Sequence, residues 1–222
     1  MRSQRISAGL IALSICMFGG VGTGRAAILS DLINGGQSIQ VGNLLFDSFS
    51  YLQTGDMPQA TGINVNPYVS GGGDMGLTFQ GAFQDFLGGA GSDALIGYHV
   101  TVLAANIGIV GSTLSGVPTV LGGSGIVSVT ESFQPTNFND LFSIYSLSPG
   151  SSQTTNSVAF AGNYSSLVVQ ESVLAFSAGG AAGVSFFNAT FATAPISIPE
   201  PASATLLGLG IATLAWRRWR KR

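Results

Sequence analysis

Between residues 26 and 216 the chain has no lysine and no arginine. Its basic residues lie in the two terminal segments, with Arg2, Arg5 and Arg25 at one end and Arg217, Arg218, Arg220, Lys221 and Arg222 at the other. The stretch between them holds every acid, and His99 is its single titratable cation. This pattern argues against nucleic acid as a partner, because phosphate binding draws on clustered Lys and Arg. The formal net charge of −2 at pH 7 therefore hides a segregation of charge that reads as topology.

Cysteine is nearly absent as well. The single Cys16 lies in the N-terminal segment, so a chain cut behind it has neither disulfides nor thiol chemistry. Charged residues make up only 8% of the 222 residues, whereas glycine occurs 32 times. This length suits one domain of ordinary size plus terminal signals. Runs between the glycines are rich in Val, Ile, Phe, Ser and Thr, which favours strands and turns. The expected fold class is all-β, a β-sandwich-like body with one short N-terminal helix.

The N-terminal segment begins with Arg2 and Arg5, continues through an apolar run over residues 6–21, and ends in the small residues Gly24 and Ala26. It reads as a secretory signal peptide over residues 1–26, which implies the Sec translocon and signal peptidase as partners. At the other end, residues 202–215 are uncharged and mostly apolar. As a helix, that run would be about 21 Å long, short of a bilayer core of ~30 Å. Trp216 and Trp219 suit the interface, and the basic residues behind them can snorkel. The segment is expected to be a C-terminal transmembrane helix with its basic tail on the cytoplasmic side. Both ends then agree on an exported body over residues 27–198.

Pro199, Glu200 and Pro201 precede the apolar run. Proline cannot continue a helix inward, so the triplet is expected as an extended, accessible peptide just outside the membrane. Pro-Glu-Pro, apolar run and basic cluster occur in that order over residues 199–222, and together they closely resemble the PEP-CTERM sorting signal of Gram-negative bacteria. The resemblance implies that an exosortase, an integral-membrane enzyme that depends on a cysteine, recognises the Pro-Glu-Pro region and processes the tail. It further implies transfer to the cell surface or an extracellular matrix, where exopolysaccharide or other matrix proteins are the expected partners. The stretch GGQSIQVGNLLFDSF also resembles the start of many PEP-CTERM proteins, and that similarity carries no activity.

Within the body, Ile28, Leu29, Leu32 and Ile33 are spaced for a short helix that Gly35 and Gly36 can end. Alternation predicts a strand, a turn and a strand over QSIQVGNLLFDSFSYL. Further strands are expected in GLTFQGAF, ALIGYHVTVL, GIVSVTESF, LFSIYSL, YSSLVVQESVLAF and GVSFFNATFATA. Segments such as SGVPTVLGGSG punctuate them, and LGGAGSD and SPGSSQTTNS read as exposed loops.

Candidate chemistry is sparse. His99 falls on the less apolar face of its strand, and a Ser-His-Asp hydrolase built on it lacks any G-x-S-x-G. GGGDMG contains the spacing of a dinucleotide loop, but a strand follows it where a helix is needed. In GGAGSDAL, Gly88, Gly89, Gly91, Asp93 and Leu95 match one unit of the calcium-binding nonapeptide pattern, making Asp93 the calcium candidate. The flanking residues do not repeat the unit, so a Gly-rich turn is expected instead, with no cofactor. Asn163-Tyr164-Ser165 and Asn188-Ala189-Thr190 match the N-glycosylation triplet, a pattern short enough to arise by chance. The sequence thus points to a non-enzymatic surface or matrix protein. A carbohydrate- or calcium-binding module and a secreted hydrolase are the alternatives.

Overall fold

A computed structural model describes residues 26–86, 90–135, 141–196 and 218–220. In chain order the elements are β1 (Ala27–Ile28), α1 (Leu29–Gly35), β2 (Ile39–Val41), β3 (Leu44–Thr54), a 3-10 turn (Ala60–Gly62) and β4 (Asn64–Val69). Then come β5 (Met75–Phe86), β6 (Ser92–Val102), β7 (Ile107–Gly116), β8 (Thr119–Leu121) and β9 (Gly125–Gln134). The body finishes with β10 (Phe142–Ser148), β11 (Ser152–Gln153), β12 (Thr155–Tyr164), β13 (Ser166–Ser177) and β14 (Ala181–Pro195).

These strands form two antiparallel sheets. The first runs β1-β4-β5-β14-β7-β12, with β8 added to β14, and the second runs β11-β10-β9-β13-β6-β3-β2. Strict alternation decides which side chains face the other sheet. In β13, Leu167, Val169, Glu171, Val173 and Ala175 are buried while Val168, Gln170 and Leu174 face outward. Aromatic rings from both sheets meet in the core. Phe46 and Tyr98 of the second sheet lie 6.1 Å apart, and Phe79 of the first sits 5.7 Å from Tyr98 and 5.2 Å from Phe187. Burying each such ring contributes roughly 1.5–3 kcal/mol, and this packing holds the sheets together. The expected all-β sandwich is the observed fold.

The helix predicted near Leu29 is present and buries Leu29 and Leu32. Its first amide is tied down by a bond from Leu29 N–H to the Ile63 carbonyl at 2.9 Å. Gly36 ends it at φ 55°, a left-handed conformation in which a Cβ would be strained, and donates its N–H to the Leu32 carbonyl.

Six strands depart from the sequence expectations. Ile28, expected in the helix, instead pairs with Asn64 as part of β1, and the helix starts one residue later. β4 and β7 were not predicted. Pro67 interrupts the strand pattern of β4, and Gly108, Gly111 and Gly116 interrupt that of β7. β8 lies inside the punctuating segment SGVPTVLGGSG, while β11 and the start of β12 lie inside the expected loop SPGSSQTTNS. The last two are at sheet ends, where outward Thr155 and Ser157 give no apolar alternation to read. The LGGAGSD segment also ends in structure rather than loop, since Ser92 opens β6 and is buried.

Candidate functional site

The folded body and the C-terminal signal adjoin without a spacer. β14 runs to Pro195, and Ile196 N–H donates to the Asn106 carbonyl at 2.8 Å. At the other end, Ala27 pairs with Val65 on β4. The sandwich is thus closed from Ala27 to Ile196. Pro199, Glu200 and Pro201, together with Arg217, Lys221 and Arg222, lie outside the described residues, as do residues 1–25 of the signal peptide expected over 1–26 and the apolar run over residues 202–215. Arg218, Trp219 and Arg220 are described and exposed, Trp219 at 84%. Among the described residues no helix is long and apolar enough to cross a membrane.

His99 projects from the outer face of β6 beside β3. Its Nδ1 is 3.9 Å from Asp47 Oδ1, and both side chains are well exposed. Ser48 donates to the same Asp47 oxygen at 2.8 Å. Ser48 thus bonds the acid rather than the imidazole. Asp93 is also exposed on β6, paired with Thr54 and Leu174, and its Oδ1 accepts a long 3.5 Å bond from Ser172. Gly88 and Gly89 of the calcium pattern lie outside the described residues. Among the described residues no group of three His, Cys, Asp or Glu side chains converges on a metal-sized site. GGGDMG forms a tight turn between β4 and β5, closed by Ser70 N–H to the Asp74 carbonyl at 2.8 Å. Asn188 of the second glycosylation triplet is only 8% exposed and bonded on both sides, which shields it in the folded body.

The least expected feature is a pair of acids inside the sandwich. Glu131 on β9 and Glu171 on β13 are directly paired across the strands, and both are fully buried. No lysine or arginine exists anywhere in the body to offset them. Tyr98 donates to Glu171 Oε1 at 3.1 Å. On the other sheet, Ser112 lies 2.8 Å from Glu131 Oε2 and 3.0 Å from the Thr190 carbonyl. Glu131 Oε1 and Glu171 Oε2 are buried with no hydrogen-bond partner, and the two carboxyls face each other across the strand pair.

Ser112 Oγ–H is shared between Glu131 Oε2 and the Thr190 carbonyl, and this bond joins the two sheets. Without a lysine or arginine to offset them, both acids favour the neutral form. Burial drives this state. It pushes the Glu131 carboxyl up to about 8, and it raises Glu171 well above the ordinary carboxylate range, with the facing Glu131 adding to the rise. Tyr98 is raised by its burial and by the two carboxyls facing it. The signal was present in the sequence: in GIVSVTESF and SLVVQESVLAF, period two puts Glu131 in line with Val127, Val129 and Phe133, and Glu171 in line with Val169 and Val173.

A third buried acid is supplied with donors instead. Asp85 accepts from Ser92 Oγ through Oδ1 and from Ser177 N–H through Oδ2, each at 2.8 Å. It thereby fastens the ends of β5, β6 and β13 at one edge of the sandwich.

Fold and boundaries define the molecule as an antiparallel two-sheet sandwich followed at once by a short C-terminal segment. That segment matches the PEP-CTERM protein-sorting motif over residues 197–221. The protein is therefore one that carries a PEP-CTERM sorting signal, and such a signal implies an exported, exosortase-processed chain with a membrane-anchored precursor. No curated protein matches the chain. Among solved structures, it is similar to TmCBM61, determined in complex with β-1,4-galactotriose, at 11% identity and a TM-score of 0.30, covering 64% of this chain and 88% of that one. It is also similar to the enzymatically active domain of bacteriophage CBA120 tailspike protein 4, at 10% identity and a TM-score of 0.26, covering 67% of this chain and 19% of that one.

Proposed function

We propose that the protein is a non-enzymatic surface or matrix component, delivered by its terminal signals and released for its work when an exosortase processes the tail. The observation that carries this reading is the junction at Ile196: the last hydrogen-bonded residue of the sandwich is followed directly by the motif at residue 197. Among the described residues, every strand, every core side chain and the bonds of Glu131 and Glu171 lie before residue 197. The body is built to persist rather than to react, and its partners in this reading are exopolysaccharide or other matrix proteins. It needs no cofactor. Its mature location is the cell surface or the extracellular matrix.

Deleting residues 197–222 tests the reading. The truncated chain should still be exported, lose essentially all surface attachment, and melt within about 2 °C of the full chain, because no residue of the core is lost. Continued attachment of the truncated chain would show that another part of the protein holds it at the surface.

A further inference from the structure

The two outer faces of the sandwich differ in charge. On the second sheet, Asp47, His99 and Asp93 all point outward. The outer face of the first sheet presents a row of uncharged hydrogen-bonding side chains across five strands. Register aligns Asn66 with Thr78, Thr78 with Asn188, Asn188 with Ser115, and Ser115 with Thr155. Four interstrand steps of about 4.8 Å make this row roughly 19 Å long.

Asn188 at its centre orders the row. Its Oδ1 accepts from Thr78 Oγ1 at 2.6 Å, and its Nδ2 donates to Ser115 Oγ at 3.2 Å. The Ser115 hydrogen is left free to donate outward, while Thr78 keeps lone pairs to accept. A second row lies beside the first, pairing Tyr68 with Gly76, Gly76 with Thr190, Thr190 with Thr113 and Thr113 with Ser157. Gly76 lets the backbone of β14 at Ala189 and Thr190 pack closely against β5, and the ring of Tyr68 lies at the end of this row.

On the other flank, Phe186 is 36% exposed opposite Gln80. Beside it, where the pairing of β5 and β14 shifts between Val184 and Phe186, a recess of about 340 Å³ opens, lined in part by Gln84, Val117, Thr119 and Leu121. None of the residues that line the recess is charged.

We propose that this face binds an uncharged polysaccharide strand laid along the Asn66–Thr155 row, with Tyr68 and Phe186 as apolar flanks. The inference deepens the matrix reading above and rests on it. Charge selects the ligand class. An acidic polymer would find no lysine or arginine anywhere in the body and would be repelled by its surface acids, whereas a neutral polyol needs only the amides and hydroxyls present here. Each such bond is modest in water, so binding depends on several made together by groups already held in place, which is what Asn188 provides.

The test uses the protein as recovered from the cell surface, with a soluble β-glucan and a soluble mannan as neutral probes and alginate as the acidic one, read by affinity electrophoresis. At least one neutral polymer should retard the protein and alginate should not. Thr78→Val combined with Ser115→Ala should weaken that binding about tenfold or more, and so should Gln80→Ala combined with Tyr68→Ala, a pair that leaves Asn188 bonded. Gln170→Ala on the opposite outer face should bind as the parent does, and melting by circular dichroism should show all variants folded. Four results would overturn the proposal: no retardation by either neutral polymer, equal retardation by alginate, undiminished binding by both paired variants, or self-association in sedimentation that the paired variants abolish, which would make the face a contact between copies. Tail processing is scored in the same samples. A processed tail without polysaccharide binding removes this inference alone, and an unprocessed tail removes the sorting reading.

Discussion

Body and tail are made from opposite materials. The sandwich from Ala27 to Ile196 has no lysine or arginine and satisfies its buried acids by neutralisation or by donors, whereas the C-terminal segment concentrates Arg217, Arg218, Arg220, Lys221 and Arg222 behind an apolar run. Among the described residues, the strands and the buried core lie between Ala27 and Pro195, ahead of the sorting motif. Stability and delivery are therefore separable properties of one chain, and changes in one region should leave the other intact.

The largest separable effect expected in the body is alkaline loss of stability. Glu131 and Glu171 hold protons in the folded core that the unfolded chain releases at its ordinary value of 4.5. Because their folded values are raised, this contribution is full below about pH 4.5 and is lost as pH rises through about 8. Urea midpoints should fall between about pH 5 and about pH 9, by the equivalent of a few kcal/mol, on the order that such shifts carry. Glu131→Gln sharpens the point, since the amide oxygen can accept from Ser112 as the carboxyl does without ionising. That variant should match the parent within about 1 kcal/mol at low pH and show a shallower decline. A parent protein whose stability rises over the same range would place these acids in the ionised state. At the small end, His99→Ala should change stability by less than about 1 kcal/mol, because the imidazole and Asp47 are well exposed and 3.9 Å apart. A larger drop in its urea midpoint would mean the surface pair does more than its geometry supports.

How much of this was legible in the sequence depended on whether the signal was local. The helix at Leu29, the hairpin of β2 and β3, and strands β5, β6, β9, β10, β13 and β14 announce themselves by alternation and turn residues within a dozen positions. β7 does not, although it is central to its sheet. Gly116 sits there because a Cβ would lie 3.0 Å from the Phe186 carbonyl and 2.9 Å from Ile144, a demand made by distant strands and invisible locally. The same distinction divides the candidate sites. The C-terminal signal is written in consecutive residues and could be recognised as such. The buried acids could have been found by carrying period two through each strand, but their meeting required the pairing of β9 with β13. The Asn66–Thr155 row joins five separated segments and exists only once register is known.

The most direct test of the central claim is the intact mass of the surface-extracted protein from cells with and without a functional exosortase. With the enzyme, the mass should show loss of both terminal segments; without it, the basic tail should remain on an otherwise exported chain. Glu200→Gln should behave as a partial version of the second case, with the leader removed and the tail less completely processed. A basic tail retained in both backgrounds would contradict the account and leave a membrane-anchored protein that exosortase does not process.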